Sequence, residues 1–257
     1  MAAPLPSTTD CAVPERGATP PPVSEHAARE LWVAVLGVLR YDEGIALQKR
    51  LRAARQAGSI PDTLLLLEHS PIYTRGRRTR AGDLPMGDDW YRSRGIDVAD
   101  TDRGGGVTYH GPGQIVGYPI MAIDDVMRYI RTIEAALLAA LADEGVAAEV
   151  RRGLTGVWAG ERKIGSIGVH VSRGVTTHGF AINVGNDLAP FEWIVPCGID
   201  GVRMTSISQE TGGIDAMATF RNSVASRFAE AFGLRQRLIP PEQLDRVAAA
   251  PVESVTA

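Results

Sequence analysis

Two side chains suited to covalent and proton-transfer chemistry stand in glycine-bearing segments of this 257-residue chain. They are Cys197, in Val-Pro-Cys-Gly-Ile, and Lys163, in Glu-Arg-Lys-Ile-Gly-Ser-Ile-Gly. A free thiol with a pKa of about 8.5 is little ionised at neutral pH, so a nucleophilic cysteine needs a cation or base beside it. Pro196 stiffens the approach to Cys197, and Gly198 leaves backbone N–H groups open to an oxyanion. Free cysteine is commonly a small buried hydrophobe; the Pro-Cys-Gly setting is what lifts Cys197 above that reading. Lys163 precedes an apolar strand-like run, and a lysine held there can act as a base. His110 and His178 compete for that role.

The third feature is Asp102-Arg103-Gly104-Gly105-Gly106-Val107-Thr108-Tyr109-His110-Gly111-Pro112-Gly113-Gln114. Five glycines in so short a stretch carry an entropic cost that makes sense where backbone must approach a ligand closely. The spacing matches neither the phosphate-binding loop ending in Gly-Lys-Ser/Thr nor the dinucleotide fingerprint. The five histidines show no ligand-pair spacing and there is no Cys-x-x-Cys, so no metal is expected.

The elements that must position these residues read as a mixture. An apolar strand is expected over 31–39 and a helix over 41–57, capped by Asp42, with Ile45, Leu47, Leu51 and Ala54 on its inner face. The run 63–68 is apolar throughout, as a central strand covered on both faces should be. Further strands are expected at 71–74 and 98–102, with the arginine-rich loop 75–80 after the first. The clearest helix spans 125–144, with Val126, Ile130, Ile133, Leu137, Leu138 and Leu141 at helical spacing. Strands follow at 146–150, 155–159, 163–172 and 176–184, with Gly160-Glu161 as a hairpin turn. A last helix covers 216–232, with Phe220, Val224, Phe228 and Phe232 on one face. Strands interspersed with a few helices, without strict alternation, predict an α/β (α+β) fold.

Composition sets the outer bounds. Apolar content of 44% and charged content of 22% are those of an ordinary globular domain. The proline-rich stretch 1–30 reads as a disordered tail, not a secretory signal; 31–238 as one catalytic domain; and 239–257 as a loose C-terminal tail. No apolar run is long enough for a membrane span. A net charge of −3 argues against nucleic acid. Two cysteines are too few for a disulfide framework and suit a reducing, cytoplasmic setting. Arg75-Gly76-Arg77-Arg78-Thr79-Arg80 is either a solvated loop or a docking patch for an acidic partner.

Together these segments resemble the lipoyl(octanoyl) transferases. The resemblance rests on Leu64-Leu65-Leu66-Leu67-Glu68-His69, on Arg103-Gly104-Gly105 through Thr108-Tyr109-His110-Gly111-Pro112-Gly113-Gln114, and on Gly156-Val157-Trp158. It continues through Lys163-Ile164 with Ser166-Ile167-Gly168, His178-Gly179-Phe180-Ala181-Ile182-Asn183 and Pro196-Cys197-Gly198-Ile199. The segments occur in family order over about 31–232. Gly165 departs from the alanine usual in the family.

The resemblance implies a mixed sheet flanked by helices, like the catalytic domain of biotin and lipoate protein ligases. It implies Cys197 as acyl-thioester nucleophile and Lys163 as the residue that lowers its pKa. Acyl-substrate contacts fall on Arg103, Gly104, Gly105, Gly106, Val107, Thr108, Tyr109 and His110, on Ser166, Ile167 and Gly168, and on Gly179, Phe180 and Ala181. The implied donor is octanoyl-acyl carrier protein, with the octanoyl group on its phosphopantetheine. The implied acceptors are lipoyl domains of 2-oxoacid dehydrogenases and the glycine-cleavage H protein. Thioester exchange needs no ATP, metal or other cofactor. Competing readings are an ATP-dependent ligase on the same fold, a non-catalytic module that binds carrier or lipoyl domains, and a Cys-His hydrolase using His110 or His178.

Overall fold

A computed structural model of the chain describes residues 29–195, 201–213 and 215–249. Cys197 and the expected N-terminal tail up to residue 28 lie outside the described residues. The frame is an eight-stranded mixed sheet. In chain order its strands are β1 (Glu30–Leu39), β2 (Asp62–His69), β6 (Gln114–Ile120), β7 (Glu149–Arg151), β8 (Leu154–Ala159), β9 (Arg162–Ser172), β10 (Val175–Asn183) and β11 (Arg235–Leu238). In space they run β11-β1-β2-β6-β10-β9-β8-β7, parallel from β11 to β2 and antiparallel beyond. A second, three-stranded sheet places β3 (Ile72–Arg75) between β4 (Asp97–Asp100) and β5 (Val107–His110).

Alternation along β2 explains why the sheet is covered on both faces. Leu64 and Leu66 point into the core shared with α3 (Val126–Asp143) and α6 (Met217–Ala231); Leu65 and Leu67 point into the core shared with α1 (Tyr41–Gln56). All four are almost wholly buried. Helix α3 starts as expected, with the Asp125 carboxylate accepting from the N–H groups of Met127 and Arg128. Val126, however, is 41% exposed, the rest of the first turn is exposed with it, and the buried face of α3 starts at Tyr129.

Three expectations are corrected. Asp42 does not cap α1: the N-cap is Arg40, whose N–H donates to the Glu43 carboxylate, while Asp42 pairs with the Arg40 side chain. Residues 146–148 precede β7, and Val146 is buried instead against α3 and its neighbours. The stretch after Pro240 is not loose through its first half. It forms α7 (Pro241–Ala249), which buries Leu244 and Ile239 in the α1-side core. Its only strong sequence signal is one leucine, and that leucine counts because α1 and β1 leave a slot for it.

The small sheet has its own aromatic core of Tyr73, Tyr91, Tyr109 and Phe191, built with the short helices α2 (Asp88–Arg92) and α4 (Ala189–Glu192). Tyr73 donates to the Pro190 carbonyl at 2.6 Å and Tyr91 to the Trp193 carbonyl at 2.8 Å. The Val195 N–H donates to the Asp83 carbonyl at 3.0 Å. The segment leading to residue 196 is thereby fastened to the sheet that carries β5. Leu244→Ala should lower unfolding stability by about 2–5 kcal/mol in urea denaturation, the usual cost of emptying a buried leucine site. A loose tail would show no change.

Candidate active site

Glycine lets two layers of backbone close on one another here. Gly168 of β9 pairs with Gly179 of β10, and Phe180 beside it pairs with Gly117 of β6. The Gly104 N–H donates to the Val169 carbonyl at 3.0 Å. A Cβ on Gly168 would sit 2.7 Å from the Gly104 carbonyl oxygen, and one on Gly179 would collide with the Gly117 carbonyl. The loop 103–106 can therefore lie over the sheet as a roof. Arg103 holds it there: its buried guanidinium donates to the Thr74 carbonyl at 2.6 Å, to the Thr74 hydroxyl and to the Gly104 carbonyl. The N–H groups of Gly76, Arg77 and Arg78 donate to the carbonyls of Gly106, Arg103 and Gly105, tying the arginine-rich loop to the same roof.

Between roof and sheet lies a narrow cavity of about 40 Å³. Of the residues expected at a site, Arg103, Gly104, Gly105, Thr108, His110, Ser166, Ile167, Gly168, Gly179, Phe180 and Ala181 line it. Gly106, Val107 and Tyr109 do not. Side chains along β5 alternate, so Thr108 and His110 face the cavity while Val107 and Tyr109 face the aromatic core. Tyr41, Val116, Tyr118 and His178 complete the lining. Tyr41 and Tyr118 carry no sequence signal beyond apolar patterning.

Lys163 stands on β9, three residues before Ser166, and is 3% exposed. Its N–H donates to the Arg203 carbonyl at 2.9 Å, and its own carbonyl accepts from the Thr205 N–H at 3.0 Å. The described segment just after residue 200 is thus strapped to the lysine's backbone. Its Nζ lies 5.5 Å from the Trp158 ring centroid. Gly156 on β8 makes the room: at φ +122° a Cβ there would stand 2.9 Å from Lys163 Cε. The Gly156 N–H donates to the buried Glu134 carboxylate of α3 at 3.3 Å. Gly165, where alanine was expected, has its Cβ space taken by Ile182 and Val157.

His110 and His178 line the cavity, and burial disfavours the charged form of both, as it does for His69 nearby. Gln114 donates from Nε2 to the Tyr109 carbonyl and to Asn183 Oδ1, so its Oε1 must accept from His110 Nδ1, 2.7 Å away. Asn183 in turn donates to the Thr205 carbonyl at 2.9 Å. Burial, reinforced by neighbouring His69, pushes His110 down to about 3, so it is a weak proton acceptor at neutral pH. His69 donates from Nδ1 to the Leu39 carbonyl and accepts from the Tyr118 hydroxyl at 2.7 Å; burial holds it below its ordinary value. His178, in the left-handed region at φ 57°, donates from Nε2 to Asp102 at 2.7 Å. Burial lowers its pKa more than Asp102 raises it. Burial alone would raise Asp102, but the hydrogen bond it accepts from His178 is the largest of the effects that outweigh burial and hold it below the ordinary carboxylate range.

Residues 40–229 match the lipoyl protein ligase A/B catalytic domain. The chain is 44% identical to an octanoyltransferase of Geobacter sulfurreducens, over 86% of this chain and 92% of that one. It is 42% identical to an octanoyltransferase of Acidobacterium capsulatum, over 77% and 88%. The chain belongs to the octanoyltransferase family. It is an acyltransferase. Its fold is also that of a bipartite lipoate protein ligase from Thermoplasma acidophilum, with TM-score 0.71, 19% identity and coverage of 86% and 91%. Lipoate-protein ligase A bound with ATP has the same fold, with TM-score 0.69, 22% identity and coverage of 85% and 92%.

Two outcomes follow from the geometry. Gly156→Ala should lower stability in urea denaturation and cut turnover at least tenfold, because at φ +122° its methyl group collides with the Gly165 carbonyl of β9 as well as crowding the Lys163 stem. The buried histidines make stability pH-dependent. The folded pKa of His110 lies below its unfolded value of about 6.5, so its contribution is complete above that pH and is lost as pH falls toward 3. His69 and His178 act with the same sign. Urea denaturation at pH 7, 6 and 5 should show stability falling on acidification. His110→Gln should make that slope shallower by about 1.4 kcal/mol per pH unit at most.

Proposed function

We propose that this chain moves an octanoyl group from the phosphopantetheine thioester of octanoyl-acyl carrier protein to a specific lysine of a lipoyl domain, through a thioester on Cys197. The observation that carries this reading is an apolar cavity roofed by glycine backbone, with a buried lysine on the strand that lines it, in a chain of the octanoyltransferase family. The cavity takes the alkyl chain, each buried methylene contributing about 0.8 kcal/mol.

In the first half-reaction Lys163 takes the Cys197 proton and the thiolate attacks the octanoyl carbonyl. Backbone N–H groups steady the oxyanion. The C–S bond to the carrier breaks, and the carrier thiolate takes the proton back from Lys163. In the second half-reaction the neutral ε-amine of the acceptor lysine attacks the Cys197 thioester. Its proton passes to Lys163, the amide forms, and Cys197 leaves as thiolate. Bonds balance without ATP, metal or other cofactor, and the amide makes the second transfer effectively one-way. His110 is a poor alternative base because burial disfavours the protonated form it would have to become. The exposed Arg77 and Arg78, tied by backbone to the roof, give an acidic carrier a place to dock. Lipoyl domains of 2-oxoacid dehydrogenases and the glycine-cleavage H protein are the acceptor class.

Intact-mass spectrometry tests this directly. Octanoyl-carrier without acceptor should add one hydroxylamine-labile octanoyl group to the chain, absent in Cys197→Ala. An unmodified wild-type mass during turnover would overturn the mechanism. Lys163→Arg should be nearly as inactive as Lys163→Ala, since a guanidinium keeps the charge but cannot serve as a base. Near-normal turnover of the arginine variant would reduce Lys163 to an electrostatic partner.

A further inference from the structure

The cavity runs across the strands rather than along them. Its floor passes from β9, through Ser166 and Gly168, over β10 to Val116 and Tyr118 of β6. Lys163 belongs to β9, at one side. At the other side stands Tyr41, the first residue of α1, whose ring centroid is 5.3 Å from that of His69 on β2. From β9 to β2 is three inter-strand steps, about 14 Å. An acyl chain entering from the Lys163 side therefore points its methyl end at Tyr41.

Tyr41 also lines a separate surface hollow of about 350 Å³, together with Arg40, Ser70, Ile72, Asp97 and Val98. Tyr41 is shared by the two cavities. Its ring lies nearly parallel to that of His110, 6.5 Å away, and meets His69 edge-on. The α1 N-terminus fixes its backbone through the Arg40 and Glu43 pairing. Tyr41 is 8% exposed and its hydroxyl interacts with the Thr101 side chain, so Tyr41→Phe, which keeps the ring and removes that contact, separates ring bulk from the hydroxyl.

We infer that Tyr41 is the partition that ends the acyl cavity, and that its ring sets the longest alkyl chain the site accepts. This rests on the acyl-transfer reading above and adds a specificity-determining residue to it. Removing the ring joins the cavity to the hollow behind, and longer chains then gain buried methylenes that the intact wall denies them.

The test is thermal-shift titration of the full chain with the sodium salts of hexanoate, octanoate, decanoate and dodecanoate, a readout that needs no turnover. In the wild type the affinity should rise to octanoate and then fall. In Tyr41→Ala it should keep rising through dodecanoate, by roughly tenfold for each two methylenes added. Tyr41→Phe keeps the ring and should retain the octanoate maximum. If Tyr41→Ala fails to fold, Tyr41→Val carries the same expectation. A folded Ala or Val variant with the wild-type length profile overturns the partition while leaving the acyl-transfer reading intact. A wild-type chain that binds none of the four carboxylates removes the acyl-cavity reading, and the partition falls with it.

Discussion

Backbone packed directly on backbone is the constraint from which the site follows. The Gly104 N–H reaches the Val169 carbonyl only because Gly168 presents no side chain to the loop above it, and Gly179 clears the Gly117 carbonyl for the same reason. A Cβ at either position would push roof from floor and widen the cavity. Glycine costs conformational entropy when it is ordered. Here that cost is offset by the Arg103 and Thr74 hydrogen bonds and by the N–H groups of Gly76, Arg77 and Arg78, which hold the loop from its other side. The small sheet exists largely to present this roof. Its aromatic core has no part in the cavity, but it fixes β5, and with it Thr108 and His110, against the larger sheet.

A buried polar chain then joins the cavity wall to the lysine. His110 donates to Gln114, Gln114 to Asn183, and Asn183 to the Thr205 carbonyl; Thr205 and Arg203 bracket the Lys163 backbone. Each link occupies a group that would be costly to bury unmet. The network therefore makes the position of β9 at Lys163 depend on β10, β6 and β5 together. Glu134 does the same from the helix side through Gly156, whose missing Cβ is space for the lysine stem. A site made this way is stiff, as acyl transfer requires of the groups that must stay aligned.

Much of this was legible in the linear chain. The run 63–68 announced a strand covered on both faces, since only such a strand can be apolar at every position. The 125–144 periodicity announced α3. The glycine density at 102–114 announced a close approach, and the chain's order of motifs announced the family. What it could not announce depends on neighbours distant in sequence. Leu244 becomes core because α1 and β1 leave a slot for it. Asp42, by contrast, loses the cap to a local competitor: Glu43, one residue on, accepts from the Arg40 N–H while Asp42 pairs with the arginine side chain.

The division has a physical basis. Backbone conformation, periodicity and the residue types able to do chemistry are local properties, so the sequence by itself determined most strands and helices, the candidates Cys197 and Lys163, and the glycine loop. Which surfaces meet is decided only when the sheets close. Tertiary structure turned Thr108 and His110 into the cavity and Val107 and Tyr109 away from it, and it brought Tyr41 from the start of α1 to the cavity's far wall. It also buried His110 deeply enough to keep it neutral. Burial and contact are sums over residues far apart in the chain, and no local pattern contains them.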